Sequence, residues 1–233
     1  MTSNKIIEKS EVKEYFNGTG FERWNKIYSK SDEINTVQKN IRKGHQKTVD
    51  DVVSYIKNYP EVAKKSFCDA GCGVGSLSIP LLRLGIKELQ VSDISSEMIK
   101  ETKKRINELG VKQDKIKYVV CDLEKLKGLF DVVVCLDVFI HYPQPVAEEM
   151  VQHLCDLSKE KLIVSFAPYT PVLAVLKIIG KLFPGPRKTT RAYTLKEKGI
   201  INAAKEKGFN VVQKKLNQAP FYFSKLIEFE KIK

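Results

Sequence analysis

The sequence lacks the features that mark membrane-spanning and exported chains. Among its 233 residues, no run approaches the roughly 18 uncharged apolar positions that a membrane-spanning helix needs, so we expect a soluble protein. The first residues mix acids and bases without an apolar block, which argues against a secretory signal and against an acid-poor transit peptide. The predicted location is therefore cytoplasmic.

Cysteine pairs and clusters are also missing. The five cysteines form no Cys-x-x-Cys motif and no cluster with histidine, which argues against a disulfide framework, a redox pair and a zinc site. Most of them lie in apolar runs, so we predict free, buried thiols and no metal bound by the protein. They are Cys68, Cys72, Cys121, Cys135 and Cys155.

A dense basic stripe of the kind that binds nucleic acid is absent, although the net charge is +12. The lysines are scattered along helix-like segments, which favours solvated helix faces and predicts no nucleic-acid partner. At 233 residues the chain is long enough for one α/β domain with a small insertion. It is too short for two domains of ordinary size.

A glycine-rich stretch at residues 67–80, FCDAGCGVGSLSIP, organises the rest of the chain. A short apolar run leads into Gly71, Gly73 and Gly75, and an apolar pattern of helical period follows. Glycine permits positive φ and close approach of a ligand to the backbone, so the stretch predicts a strand, a binding loop and a helix. The alternative is an ordinary tight turn between a strand and a helix.

Acidic residues accompany this loop and end the next two predicted strands. A pyrophosphate would avoid the charge of Asp69, whereas a cationic ligand suits it. Asp93 can accept both hydroxyls of a ribose, and Asp122 can accept the exocyclic amine of an adenine. The pattern DAGCGVG is similar to the first motif of class I S-adenosylmethionine (SAM) methyltransferases, whose donor carries a sulfonium and an ammonium.

Strand-like and helix-like segments alternate after the loop, which predicts a doubly wound parallel sheet. With the motif, we expect an α/β, Rossmann-like class I SAM-methyltransferase fold in a single domain over residues 1–233. Its sheet should have seven mostly parallel strands, with the fourth over residues 130–138, and a C-terminal antiparallel hairpin. Ligands of such sheets lie at the carboxyl ends of the strands, where Gly71, Asp93, Asp122 and His141 fall.

Residues 1–34 are predicted to form an N-terminal aromatic cap. Phe21, Trp24 and Tyr28 share one helical face there, and both a packed cap and a lid over a ligand fit this spacing. A long helix follows over residues 35–59 with a glycine at its centre, where we expect a ligand or another backbone to come close. Arg42 and His45 flank that glycine, and His45 fits either a polar contact to the donor's amino-acid end or a satisfied core histidine.

Residues 168–195 form an inserted segment with no place in an alternating sheet. It contains a short apolar helix, a Pro184-Gly185-Pro186 turn and a basic run with Arg187 and Arg191. A wall for a large, flat, anionic acceptor is one interpretation. A packed helix followed by a solvated loop is the other.

With these residues in view, the chain resembles the magnesium-protoporphyrin IX O-methyltransferases over nearly its full length. The segments that carry the resemblance are YFNGTGFERWNKIY, VQKNIRKGHQKTV, CDAGCGVGSLSIP, VVCLDVFIHYP, LIVSFAP and LFPGPRKTTRAY. The first and the last two lie outside the generic SAM-binding core, so they bear on the acceptor as well as on the fold.

The resemblance implies methyl transfer from SAM to a propionate carboxylate of magnesium protoporphyrin IX, a step of chlorophyll biosynthesis. His141 would hold the propionate or take its last proton, with Tyr28 as a second hydrogen-bond donor. Axial ligation of the porphyrin magnesium by His141 is an open alternative. The expected acceptor contacts are Trp24, Tyr142, Arg187 and Arg191.

The expected donor site surrounds the glycine loop. It comprises Asp69, Gly71, Gly73, Gly75, Asp93, Ile94, Asp122, Leu123, Leu136, Tyr15, Arg42 and His45. Expected partners are the magnesium porphyrin, the upstream magnesium-inserting enzyme and the surface of a photosynthetic membrane. The alternatives are an O-methyltransferase of another small molecule or of RNA, and a non-catalytic SAM-binding carrier of porphyrin.

Overall fold

The computed structural model describes residues 2–28, 34–110, 114–169 and 192–232, with side chains from residue 10 onward. The strands are β1 Ser66–Ala70, β2 Glu88–Asp93, β3 Ile116–Val120, β4 Phe130–Cys135, β5 Ser158–Phe166, β6 Phe209–Ala219 and β7 Tyr222–Lys231. The helices are α1 Thr2–Asn17, α2 Thr19–Tyr28, α3 Thr36–Lys57, α4 Ser78–Arg83, α5 Ser96–Asn107, α6 Gln144–Asp156 and α7 Glu197–Glu206. Single 3₁₀ turns lie at Val62–Lys64, Leu123–Lys125 and Phe139–His141.

The strands form one seven-stranded sheet in the order β3-β2-β1-β4-β5-β7-β6. The first five strands pair in parallel, while β7 runs antiparallel to β5 and pairs antiparallel with β6. This arrangement confirms the predicted class I SAM-methyltransferase fold, including its C-terminal hairpin. The order reverses between β1 and β4, so the crevice for a ligand opens at the carboxyl ends of these strands.

The central strand β4 contributes to a core on each face of the sheet. Val133 and Cys135 pack into the core with α6 and α7, whereas Val132 and Val134 pack into the core with α3, α4 and α5. All four side chains are fully buried. An apolar strand with no polar face is what a central parallel strand between two helical layers requires.

Helices α1 and α2 cover one side of the crevice, with a break at Gly18 between them. The Ser95 hydroxyl at the start of α5 donates to the Phe16 carbonyl over 2.8 Å, and Arg105 of α5 donates to Asn25 Oδ1 over 2.7 Å. Ile27 of α2 is fully buried. The aromatic cap therefore packs on the domain, and its position relative to the crevice decides whether it can also contact ligands.

Three sequence predictions about the fold need correction. Strand β4 ends at Cys135 and not at residue 138, because Asp137 adopts a left-handed φ of 56° that ends the extended run. The two strand-like runs of the C-terminal hairpin predict a turn over residues 217–220, whereas the observed turn is only two residues long, since Ala219 pairs directly with Tyr222. Helix α7 was not predicted, and Lys196, which precedes it, makes no side-chain capping bond, so the sequence gives little sign of its start.

Other sequence predictions concern membrane spans, cysteines and the inserted segment. Within the described ranges, no helix is long and apolar enough to cross a membrane. All five cysteines are free, and four are buried while Cys121 is partly exposed. The apolar helix and basic turn expected in residues 168–195 lie almost wholly outside the described residues.

Candidate active site

An open cavity lies at the carboxyl ends of β1, β2 and β4. Twelve of the residues predicted for the two ligand sites line it. These are Trp24, Tyr28, His45, Asp69, Gly71, Gly73, Asp93, Ile94, Leu123, Leu136, His141 and Tyr142. The topology thus brings together side chains from the N-terminal cap, α3, the glycine loop and the segment after β4.

The glycine loop presents bare backbone to this cavity. Gly71 has a φ of 80°, and a Cβ built there would lie 2.2 Å from Cγ2 of Val138. The amide nitrogens of Gly71 and Cys72 donate to the Ser92 carbonyl over 2.8 and 2.9 Å, which ties the loop to β2. Gly73 has a φ of 54° and open space where a side chain would point, so a ligand can approach its backbone.

Asp93 is fixed at the end of β2 by two backbone donors. Its carboxylate accepts from the amide of Gly73 over 3.0 Å and from the amide of Ser95 over 2.9 Å. Burial raises the pKa of Asp93 to about 6, although these backbone hydrogen bonds oppose the shift. A carboxylate held beside the glycine loop and facing a cavity is placed to accept hydroxyl groups from a ligand.

Asp69 is the second buried acid of the loop. The Ser78 hydroxyl at the start of α4 donates to its carboxylate over 2.5 Å. Burial raises the pKa of Asp69 to about 7; the Ser78 hydrogen bonds oppose this shift and the nearby charge of Asp93 adds to it. Two acids with raised pKa values in one cleft are a common mark of a functional site.

His141 lies on the 3₁₀ turn that follows β4. Its ring meets the ring of Phe16 edge to face, with centroids 5.0 Å apart, so the N-terminal cap covers it directly. Burial lowers the pKa of His141 to about 4, with the negative charge of Asp137 opposing the shift. The imidazole is therefore neutral near pH 7, able to donate through one nitrogen and to accept or ligate through the other.

Tyr28 and Trp24 present their rings to the cavity from α2. The rings stack with centroids 6.1 Å apart, and the Tyr28 hydroxyl hydrogen-bonds to Nδ1 of His45 on α3. Burial lowers the pKa of His45 and raises that of Tyr28. His45 is thus a buried, hydrogen-bonded histidine that also faces the cavity, which joins the two interpretations left open by the sequence.

Two predicted donor contacts on the helices lie outside the cavity wall. Tyr15 packs against Gly20 in the turn between α1 and α2, where a Cβ on the glycine would lie 2.4 Å from the ring. Arg42 donates to the Ile27 carbonyl over 3.2 Å and so holds α2 against α3. Both residues position the cap and are absent from the described lining.

Two further predicted donor contacts, Gly75 and Asp122, do not line the cavity themselves, although the residues on either side of each one do. Gly75, with a φ of 82°, turns toward α5, where a Cβ would lie 2.9 Å from Thr102. Asp122 points to Lys125 at 3.7 Å, while its neighbours Cys121 and Leu123 line the cavity. The predicted acceptor contacts Arg187 and Arg191 lie outside the described residues.

Sequence reasoning missed a partly buried carboxylate in the cavity wall, Asp137. Asp137 was not predicted because β4 was expected to extend to residue 138. In the structure β4 ends at Cys135, so Asp137 lies just beyond the carboxyl end of the strand. The rule that ligands meet the residues following strand ends would have selected it, had β4 been ended at Cys135. Also missed were Val12, Phe16, Val74, Ser76, Leu77, Ser92, Met98, Cys121 and Val138, together with Cys72, for which the loop was expected to need only a small residue.

Comparison with known proteins gives a consistent result. Residues 67–161 match the family described as "Methyltransferase domain", and residues 135–231 match "Magnesium-protoporphyrin IX methyltransferase C-terminus". A magnesium-protoporphyrin O-methyltransferase of Synechocystis sp. is 45% identical, and the alignment covers 98% of each chain. The chain belongs to the magnesium-protoporphyrin O-methyltransferase family.

Other members of the magnesium-protoporphyrin O-methyltransferase family agree with this assignment. The chloroplastic enzyme of Arabidopsis thaliana is 47% identical, over 95% of this chain and 70% of its own length. The crystal structure of the Synechocystis enzyme with bound S-adenosylhomocysteine (SAH) superposes with a TM-score of 0.86, covering 97% of this chain and all of that one, at 43% identity. Within the described residues, no cluster of three or more His, Cys, Asp and Glu side chains could hold a metal ion.

Proposed function

We propose that this protein transfers a methyl group from SAM to a propionate carboxylate of magnesium protoporphyrin IX, giving the monomethyl ester. The observation that carries the proposal is the full-length relationship to the Synechocystis enzyme, which extends through the N-terminal cap beyond the SAM-binding core. The alternatives, another acceptor or a non-catalytic carrier, have no comparable support.

The glycine loop and its neighbours fit SAM. The open space at Gly73 admits the donor to bare backbone, and Asp93 stands ready to accept the ribose hydroxyls. Ile94, Leu123 and Leu136 supply apolar surface on either side of that carboxylate for an adenine. Asp69 contributes negative potential toward the cationic half of the donor and anchors α4 through Ser78.

The chemistry asks little of the protein beyond placement. Bound SAM supplies an electrophilic methyl on a sulfonium, and a propionate with a reference pKa of about 4 is already ionised near neutral pH. A general base is therefore not needed to create the nucleophile. Aligning the propionate oxygen with the methyl in a cavity closed from water is the main task, and good alignment alone accounts for up to about 10 kcal/mol of barrier.

The acceptor side of the cavity is built by the cap and the turn after β4. Trp24, Tyr28 and Tyr142 offer flat rings and hydroxyls to a porphyrin edge, and a neutral His141 can donate a hydrogen bond to the propionate. The same neutral imidazole can instead ligate the porphyrin magnesium. Arg187 and Arg191 of the inserted segment are proposed to hold the second propionate.

In this proposal the whole chain, residues 1–233, forms one domain. Residues 1–34 and 168–195 are proposed to lie on the side of the cavity that binds the acceptor. The upstream magnesium-inserting enzyme is the proposed source of the acceptor. Contact with the surface of a photosynthetic membrane is proposed for the same side, where a pigment would enter.

One assay tests the function directly. Purified protein is incubated with methyl-labelled SAM and magnesium protoporphyrin IX, with metal-free protoporphyrin and bulk RNA as separate acceptors. Label should appear as a base-labile ester on the magnesium porphyrin, well above either comparison. Label on RNA that weakens steeply with added salt would replace the proposal with an RNA methyltransferase. Tight SAM binding without transfer to porphyrin would leave a carrier.

A further inference from the structure

The residue that sequence reasoning missed, Asp137, stands out among the groups lining the cavity. It follows β4 with a φ of 56°, a conformation that residues other than Gly, Asn and Asp rarely adopt. Its neighbour Val138 packs against Gly71 of the glycine loop. Asp137 therefore stands where the donor loop meets the turn that carries His141.

Three hydroxyl groups hold the Asp137 carboxylate. Oδ1 accepts from Ser165 over 2.6 Å and from Ser224 over 2.7 Å, while Oδ2 accepts from Tyr222 over 2.6 Å. The Ser165 hydroxyl in turn accepts from the Asp137 amide over 2.9 Å, which fixes the direction of that hydrogen bond. Donors alone around both carboxylate oxygens hold the carboxylate in a single orientation.

The negative charge of Asp137 influences the pKa values of several groups in and around the cavity. It raises the pKa values of Tyr28 and Tyr222, and it opposes the lowering of the pKa of His45 and of His141 that burial causes. Both histidines stay neutral near pH 7. Among the described residues that line the cavity there is neither a lysine nor an arginine, so its titratable walls carry only negative charge.

A negatively charged cavity wall binds the methyl donor SAM and its product SAH with different affinities. Before transfer the donor carries a sulfonium, and after transfer the sulfur is a neutral thioether. Apart from the transferred methyl group, the rest of the molecule is the same. A fixed negative charge near the sulfur therefore favours the loaded donor over the spent one, whereas contacts to ribose and adenine favour both alike.

We infer that Asp137 is a specificity-determining residue that makes the site prefer SAM over SAH, so that the spent donor leaves readily. The inference rests on the proposed function, because it requires SAM as the donor. The two acids then have different roles. Asp93 binds the ribose, which SAM and SAH share, and Asp137 interacts with the positive charge on sulfur, which only SAM carries.

The test measures the affinities of SAM and SAH separately, by calorimetry without acceptor, for the wild type and for Asp137→Asn. Asparagine tolerates positive φ, and its Oδ1 can accept from Ser165 and Ser224 while its Nδ2 donates to the Tyr222 hydroxyl, so the variant removes the charge with little change of shape. SAM affinity should fall about tenfold to a hundredfold, and SAH affinity should change less than about threefold. Should the asparagine variant be unstable, Asp137→Gly, which also suits positive φ, repeats the test.

Two control variants separate charge from structure. Asp131→Asn removes a carboxylate at the other end of β4, where it accepts from the amide and hydroxyl of Ser66, and it should leave both affinities unchanged. Tyr222→Phe removes one donor to Asp137 but keeps the charge, and it should preserve most of the preference for SAM. Equal losses for SAM and SAH in Asp137→Asn, or no loss for either, would overturn the inference. A wild type that binds neither molecule would instead count against the proposed function.

Discussion

At the scale of single residues, the two acids beside the glycine loop tie ligand binding to stability. The pKa of Asp93 is raised to about 6 and that of Asp69 to about 7, in both cases mainly by burial. Between pH 4 and these values the folded protein holds protons that the unfolded chain has released. The contribution of these two acids to the free energy of unfolding therefore decreases as pH rises through this window, while the lowered pKa values of His141 and His45 contribute in the opposite direction.

This linkage predicts the behaviour of Asp93→Asn. The amide nitrogen of asparagine cannot accept from Gly73 or Ser95, so the variant loses one hydrogen bond at every pH. Relative to the wild type and without ligand, its stability should nevertheless increase by up to about 3 kcal/mol between pH 4.5 and 8, because it no longer buries that charge. Urea unfolding of both proteins from pH 4.5 to 8 gives the comparison. Asp131 has a lowered pKa, because hydrogen bonds from Ser66 and the charge of Lys159 outweigh its partial burial. Asp131→Asn should therefore show no such gain, and a difference in stability between Asp93→Asn and the wild type that stays constant from pH 4.5 to 8 would refute the assignment.

His141 is expected to act on the acceptor and not on the donor. His141→Gln should lower turnover at least about a hundredfold, as expected for loss of a hydrogen-bonding catalytic group, with SAM affinity within about twofold of the wild type. The absorption spectrum of bound magnesium porphyrin separates the two roles of the imidazole. An axial ligand would shift the main band in the wild type and not in the variant, whereas a propionate contact would leave the two spectra alike. Turnover within twofold of the wild type would remove His141 from catalysis.

At the scale of elements, the C-terminal hairpin and α3 hold the floor of the cavity together. Gly44 in α3 faces Tyr222 of β7, and a Cβ on the glycine would lie 2.3 Å from the tyrosine ring. The sequence indicated a close approach at Gly44, but it suggested a ligand or a backbone there. The Tyr222 hydroxyl continues the contact, since it lies 3.0 Å from the Thr48 hydroxyl of α3 and donates to Asp137.

Gly44→Ala should therefore destabilise the protein although alanine is the better helix former. The buried Tyr222 ring and its Cβ cannot move away without disturbing their own packing. We therefore expect the free energy of unfolding to fall by about 1–3 kcal/mol, measured by thermal or urea unfolding. Gly199→Ala in α7 is the matched control. A Cβ there would meet only the side-chain ends of Glu148 and Gln144, which can swing away, so the variant should be neutral or up to about 1 kcal/mol more stable. Similar effects at the two glycines would show that Tyr222 does not limit Gly44.

At the scale of the whole molecule, local patterns predicted the sheet, while long-range contacts escaped them. The glycine loop, Asp93 and the alternation of elements are encoded within short stretches, and each was placed correctly. Asp137 and Tyr222 were missed because their importance depends on a contact between the middle and the end of the chain. Helix α7 was missed because it is short and starts without a capping side chain. The donor contacts proposed for Tyr15 and Arg42 stay predictions; in the structure Tyr15 packs against Gly20 and Arg42 donates to the Ile27 carbonyl.

The same division between sheet and cap predicts the effect of removing the segment before Ser31. The donor loop and Asp93 belong to the sheet, whereas Trp24, Tyr28 and the Phe16 cover of His141 belong to the cap. The truncated protein should lose porphyrin methylation and keep measurable stabilisation by SAM in thermal unfolding. Because the deletion also exposes the surface that Ile27 covers, Trp24→Ala serves as a milder variant, for which we expect weaker porphyrin binding and unchanged SAM binding. Full activity in the truncated protein would mean that the cap only packs against the domain and takes no part in holding the acceptor.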